Sequence, residues 1–96
     1  MAEIVLDGLE LAAMEQVHDR FAPYLPGWYG RNLDALYDCL TDPDCAAAVR
    51  LLHRPALEER LGRPGRALVE LLRRAAEENP RLALLEEPDG ADRAAP

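Results

Sequence analysis

The 96-residue chain contains no serine and no lysine, one threonine (Thr41), two cysteines, two histidines and five aromatic rings besides the histidines. Each shortage removes a chemistry. Without serine there is no Ser–His–Asp nucleophile. A Cys–His nucleophile would have to pair Cys39 or Cys45 with His18 or His53, and the helical phase of Cys39 places it on an apolar side, where a thiol is inert. His18 borders the apolar stripe of a helix and His53 ends a strand, positions that suit structural histidines. All eleven basic residues are arginine, a bias we read as genomic. They form no basic stripe: Arg50 with Arg54, and Arg73 with Arg74, stand against a net charge of −7, which disfavours a nucleic-acid partner. No glycine-rich phosphate loop is present, because Gly62-Arg63-Pro64-Gly65 is short and interrupted by proline. The run Ile4-Val5-Leu6 has no basic residues before it and is too short for a signal peptide or a membrane span. The expectation is a cytoplasmic protein with no membrane partner, in which Cys39 and Cys45 remain thiols.

What is present fits one small α/β domain. The apolar fraction of 49% with 30% charged residues suits a soluble chain with one modest core. Ile4-Val5-Leu6 before Asp7-Gly8 predicts a buried strand. Leu11, Met14, Val17 and Phe21 recur at helical spacing up to Pro23 and Pro26. A second helix is expected from Leu33, a turn at Thr41-Asp42-Pro43-Asp44, and a second strand over Val49–His53. Arg54-Pro55 opens a short helix, with Pro55 at its first position, that ends at Gly62. Leu68, Leu71, Leu72 and Ala75 mark a longer one, stopped by Asn79-Pro80, and Arg81–Leu85 reads as a third strand. Strands separated by helices need crossover connections, hence a three-stranded parallel sheet packed with about four helices. Residues 1–86 form that domain. Residues 87–96, rich in Pro, Asp and Ala, predict a disordered tail.

The segment Trp28–Thr41 carries the functional signal. With Asn32 as N-cap and about 100° per residue, Leu33, Leu36, Cys39 and Leu40 share one side of the second helix. Asp34, Tyr37, Asp38 and Thr41 fall on the other. Like charges four apart cost a helix roughly 0.2–0.5 kcal/mol. Asp34 recovers some of this from the helix dipole, whereas Asp38, near the C-terminal end, does not. Acids held there at a cost, beside aromatics, read as an exposed binding face. A general acid–base pair would need burial that separates the two pKa values, and nothing apolar surrounds these acids except Tyr37. Asp38, Asp42 and Asp44 do not match a calcium loop, since Pro43 intrudes and the loop glycine is missing. The chain therefore reads as a non-enzyme without metal or cofactor, and the excess of acid points to a basic protein partner.

The run Tyr29–Thr41 closely resembles the helix-two signature of the barstar family, intracellular inhibitors of the secreted ribonuclease barnase. The similarity continues upstream without a gap through Leu11–Gly27, with His18 and Pro26 in register. It weakens downstream, where the order of elements is kept. The resemblance implies the three-stranded parallel sheet and a 1:1 complex with a basic secreted ribonuclease. In that complex Asp38 would take the place of the substrate phosphate and accept charge-assisted hydrogen bonds, while Asp34 would engage a base-recognition arginine. It also implies contacts from Trp28, Tyr29, Gly30, Asn32, Tyr37 and Thr41, with the aromatics as anchors.

Two departures bear on the partner. Asp42-Pro43-Asp44 stands where the family has a Gly-Trp contact. Arg74 stands where its last helix carries an acidic contact, with Glu77 and Glu78 close enough to compensate. A second reading is an immunity or adaptor protein that uses the same acidic face on another basic protein or toxin.

Overall fold

The computed structural model describes residues 2–87. The elements run β1 (Ala2–Asp7), α1 (Met14–Phe21), α2 (Leu33–Leu40), β2 (Ala47–Leu52), α3 (Arg54–Leu61), α4 (Arg63–Glu78) and β3 (Leu82–Glu86), with one 3₁₀ turn at Ala22–Tyr24 after α1. The strands form a sheet in the order β1-β2-β3, both pairings parallel. Each crossover spans two helices, α1 with α2 and α3 with α4, as the alternation of strand and helix in the sequence requires.

Register explains which residues make the core. Ile4 pairs with Val49 and Val49 with Leu84; Leu6 pairs with Leu51; Ala47 pairs with Leu82. Side chains on neighbouring partners point the same way, so these residues line one face of the sheet. All but the half-buried Leu84, which packs against it, join Val17, Phe21, Leu36, Leu40, Leu57, Leu68 and Leu72 in one buried cluster. The opposite face, with Val5, Ala48, Arg50, Leu52 and Leu85, stays half-buried or exposed. Among the described residues the sheet is therefore covered on one side only, although parallel sheets are usually covered on both. The strands alternate accordingly.

The bounds of four elements differ from the sequence expectations. Helix α1 starts at Met14, leaving Leu11 buried in the preceding loop. There the Gln16 side chain caps the helix by accepting from the Ala12 and Ala13 amides. Strand β2 begins at Ala47 and stops at Leu52, because His53 adopts a left-handed conformation with φ +54° and turns the chain into α3, where Pro55 is the second residue. Helix α4 begins at Arg63 and absorbs Arg63-Pro64-Gly65. Gly62, with φ +66°, separates the two helices, and a side chain at Gly65 would press on Leu61 and the Leu57 carbonyl. Finally, Glu86 belongs to β3, and the Glu87 amide continues the ladder by donating to the Leu51 carbonyl at 3.0 Å. The remainder of the expected tail, residues 88–96, lies outside the described residues.

Candidate functional site

Helix α2 is anchored at both ends. The Asn32 side chain accepts from the Ala35 amide at 2.8 Å, the cap its position predicts. Before it, Arg31 takes a left-handed φ of +58° and its guanidinium pairs with Asp19 of α1 at 2.5 Å. At the other end the Thr41 hydroxyl donates to the Tyr37 carbonyl at 2.7 Å. Leu36, Cys39 and Leu40 are buried and Leu33 half-buried, which leaves Asp34 and Asp38 exposed one turn apart.

Asp34 and Asp38 border a groove of about 650 Å³ between α2 and α4, lined also by Leu33, Tyr37, Ala67, Glu70, Leu71 and Arg74. The Tyr37 hydroxyl donates to the Glu78 carboxylate, a bond that raises the Tyr37 pKa and holds Glu78 beside α2. Along α4, Arg73 turns to β3 and forms a two-pronged pair with Glu86 at 2.8 Å. Its neighbour Arg74 faces the groove. The structure thus brings Asp34, Tyr37, Asp38, Arg74 and Glu78 together. Glu77 is exposed on α4 and does not line the groove, and Gly30 is exposed in the loop before α2.

The aromatics of the signature do not share one exposed surface. Tyr29 points inward, 9% exposed, with its hydroxyl hydrogen-bonded to Nδ1 of the buried His18. Burial, assisted by the Arg31 charge, lowers the His18 pKa from its ordinary 6.5, and burial pushes Tyr29 up to about 12. The pair therefore acts as a neutral clamp between α1 and the loop before α2. Trp28, by contrast, is 61% exposed and stands on the other side of α2. It borders a second cleft with Tyr24, Leu25, Pro26, Leu40, Asp42 and Asp44. Cys39 and Cys45 also line this cleft as free thiols, each with a pKa raised chiefly by burial.

One residue that matters to this surface carries only a helix-stop signal in the sequence. The Asn79 side chain is 3% exposed and donates to the carbonyls of Leu40, Asp42 and Cys45, at 2.8, 3.3 and 3.0 Å. It fixes the turn that carries Asp42 and Asp44. An asparagine before proline in a chain signals a stop; its inward orientation has no local signature. Among the described residues there is no group of three or more His, Cys, Asp or Glu side chains able to hold a metal, and no helix long and apolar enough to cross a membrane.

A family model described as "Barstar (barnase inhibitor)" matches residues 1–88. The chain belongs to the barstar family. Its fold, with three parallel strands and four helices, agrees with that membership. The barstar-family match covers the whole described domain, including the half of the chain downstream of Thr41, where the sequence resemblance is weakest. A curated relative, "Putative ribonuclease inhibitor YrdF" of Bacillus subtilis (strain 168), is 49% identical over 43 residues, 43% of this chain. The match spans about half of that relative, 47% of its length. The family is described by barnase inhibition and the relative by ribonuclease inhibition.

Proposed function

We propose that this protein inhibits a basic secreted ribonuclease by covering its active site with α2 and the loop before it, in a 1:1 complex formed in the cytoplasm. The observation that carries the proposal is the exposure of Asp34 and Asp38 one turn apart on a helix whose other side is buried. Asp38 would accept charge-assisted hydrogen bonds from the arginine, lysine and histidine groups that otherwise bind the substrate phosphate. Asp34 would meet a second arginine. Tyr37 beside the two acids and Trp28 on the other side of α2 would serve as anchors of the kind that dominate interface energies, with Asn32 and Gly30 shaping the loop before the helix. Tyr29 supports that loop from beneath through His18. Thr41 closes the helix end, and Asp42, Glu77 and Glu78 extend the acidic surface around it.

The test is titration against a panel of basic microbial ribonucleases with Asp38→Ala as control. Stoichiometric loss of ribonuclease activity is expected with the native chain. The variant should bind at least about thirty-fold more weakly, the size of a hot-spot truncation of 2 kcal/mol or more. Undiminished inhibition by the variant would remove Asp38 from the mechanism. Binding without inhibition would favour the immunity or adaptor role.

A further inference from the structure

We propose that the cleft beside Trp28 is a second anchoring site, which receives an arginine side chain of the basic protein partner. Only the source of that side chain rests on the inhibitor function; the chemistry of the cleft stands by itself. The cleft has a volume of about 410 Å³ and lies where the starts of β1 and β2 meet the 24–28 loop and the 42–46 turn. Its floor is apolar, from Ile4, Leu40 and Ala47. Its walls carry two rings that a folded chain would ordinarily cover, Trp28 at 61% and Tyr24 at 54% exposure.

Among the described residues the charged side chains at the cleft are of one sign: Asp42 and Asp44 border it, and no described arginine or histidine lines it. Arg81 reaches the same turn only at the Pro43 carbonyl, 3.4 Å away. The Asp42 carboxylate and the turn that carries Asp44 are held in place before any partner arrives. The Asp44 amide donates to the Asp42 carboxylate at 2.8 Å, and Asn79 grips the carbonyls of Leu40, Asp42 and Cys45 behind them. Preorganised groups bind without an ordering cost.

A guanidinium suits this combination better than any other side-chain head. It is planar, stacks on aromatic faces, is weakly hydrated, and pairs with carboxylates through a fixed fork of donors. Its three-carbon stem can lie along Leu25 and Pro26. The cleft and the acidic face are both built on α2, the cleft through Cys39 and Leu40 and the groove through Asp34 and Asp38. The groove with Asp34 and Asp38 opens on one side of α2 and the cleft on the other. A basic partner seated on the helix would reach both.

Trp28 is the only tryptophan in the chain, so its fluorescence reports on the cleft directly. The free protein is titrated at constant ionic strength with N-acetyl-arginine amide, with the uncharged isostere N-acetyl-citrulline amide, and with N-acetyl-norleucine amide. A saturable change is expected, with arginine favoured about fivefold over either neutral analogue. The double variant Asp42→Asn, Asp44→Asn keeps the turn's acceptor atoms and should abolish that preference at an unchanged urea midpoint. Equal response to citrulline or norleucine, non-saturable quenching, or a preference that survives the double variant would each overturn the proposal. The ribonuclease panel separates the two functions. An arginine preference without inhibition leaves the cleft and removes the inhibitor role; inhibition without an arginine preference does the reverse.

Discussion

The Asn79 side-chain amide, at the end of α4, donates to the Leu40 carbonyl, at the end of α2, across 2.8 Å. The same nitrogen serves the carbonyls of Asp42 and Cys45, and the side-chain oxygen accepts from the Arg81 amide at 3.0 Å. One buried side chain thereby supplies partners for four backbone groups in two segments that lie 34 or more positions apart in the sequence, the Arg81 amide excepted. Such groups cost about 1–3 kcal/mol each when left unpaired, less where water enters. Asn79→Ala should therefore lower the unfolding free energy, measured by urea denaturation, by about 2–4 kcal/mol. A loss under 1 kcal/mol would show that water replaces the amide.

The His18–Tyr29 pair sets two pH limits on stability. The His18 pKa is lowered on folding, so the unfolded chain takes up a proton first as the pH falls. Its contribution is complete above the unfolded value of 6.5 and is lost as the pH drops from there through the lower folded value. Tyr29 is raised from 10.0 to about 12, so its contribution is complete below 10 and is lost as the pH rises towards 12. Urea midpoints measured from pH 5 to 12 should fall on both sides. Glu86, held low by Arg73, adds its own loss only below 4.5, and the two thiols begin to contribute near 9. Tyr29→Phe isolates the tyrosine: the difference from the native chain should shrink between pH 10 and 12. A difference constant across that window would contradict the assignment.

Close packing makes Gly8 less replaceable than a turn glycine. A Cβ there would lie 2.2 Å from the His53 carbonyl oxygen and 2.6 Å from the Leu57 nitrogen. Both are backbone atoms at the start of α3, so β1 and α3 would have to separate. Gly8→Ala should cost about 3 kcal/mol or more. Gly62 provides the comparison, because its φ of +66° is strained for alanine but the space around it is open. Gly62→Ala, at φ +66° and ψ −139°, should cost about 1–3 kcal/mol from backbone strain alone. Equal urea midpoints for the two variants would overturn this ranking.

What was legible in the sequence followed periodicity and local chemistry. The Asn32 cap, the burial of Leu36, Cys39 and Leu40, and the exposure of Asp34 and Asp38 all follow from one helical phase. The parallel sheet followed from alternating element types. Other features depend on contacts that no local pattern encodes. Tyr29 and Trp28 are adjacent aromatics, and only the meeting of the loop with His18 sends one inward and the other out. Arg63-Pro64-Gly65 has loop-like composition, yet Gly65 is required in a helix because α3 passes so close. Asn79 appears as a terminator until the turn it holds is seen. The arginine of α4 that faces the groove, Arg74 and not Arg73, is fixed by the position of Glu86 on β3.

Arg74 is a cation placed within an acidic groove, beside Asp34 and Asp38. If the partner is a basic ribonuclease, that charge opposes encounter. Arg74→Glu changes the net charge by two units, from −7 to −9, and does so at the binding face. Electrostatic steering acts mainly on association, and exposed charges are screened beyond about 10 Å at 0.1 M salt. The variant should therefore associate up to about tenfold faster by stopped flow at low ionic strength. The gain should shrink towards nothing near 1 M salt, where the screening length falls to about 3 Å. Dissociation should change less. A slower association at low salt would reverse the inference: the partner would then carry a carboxylate opposite Arg74, and this residue would select for that partner among otherwise similar basic enzymes.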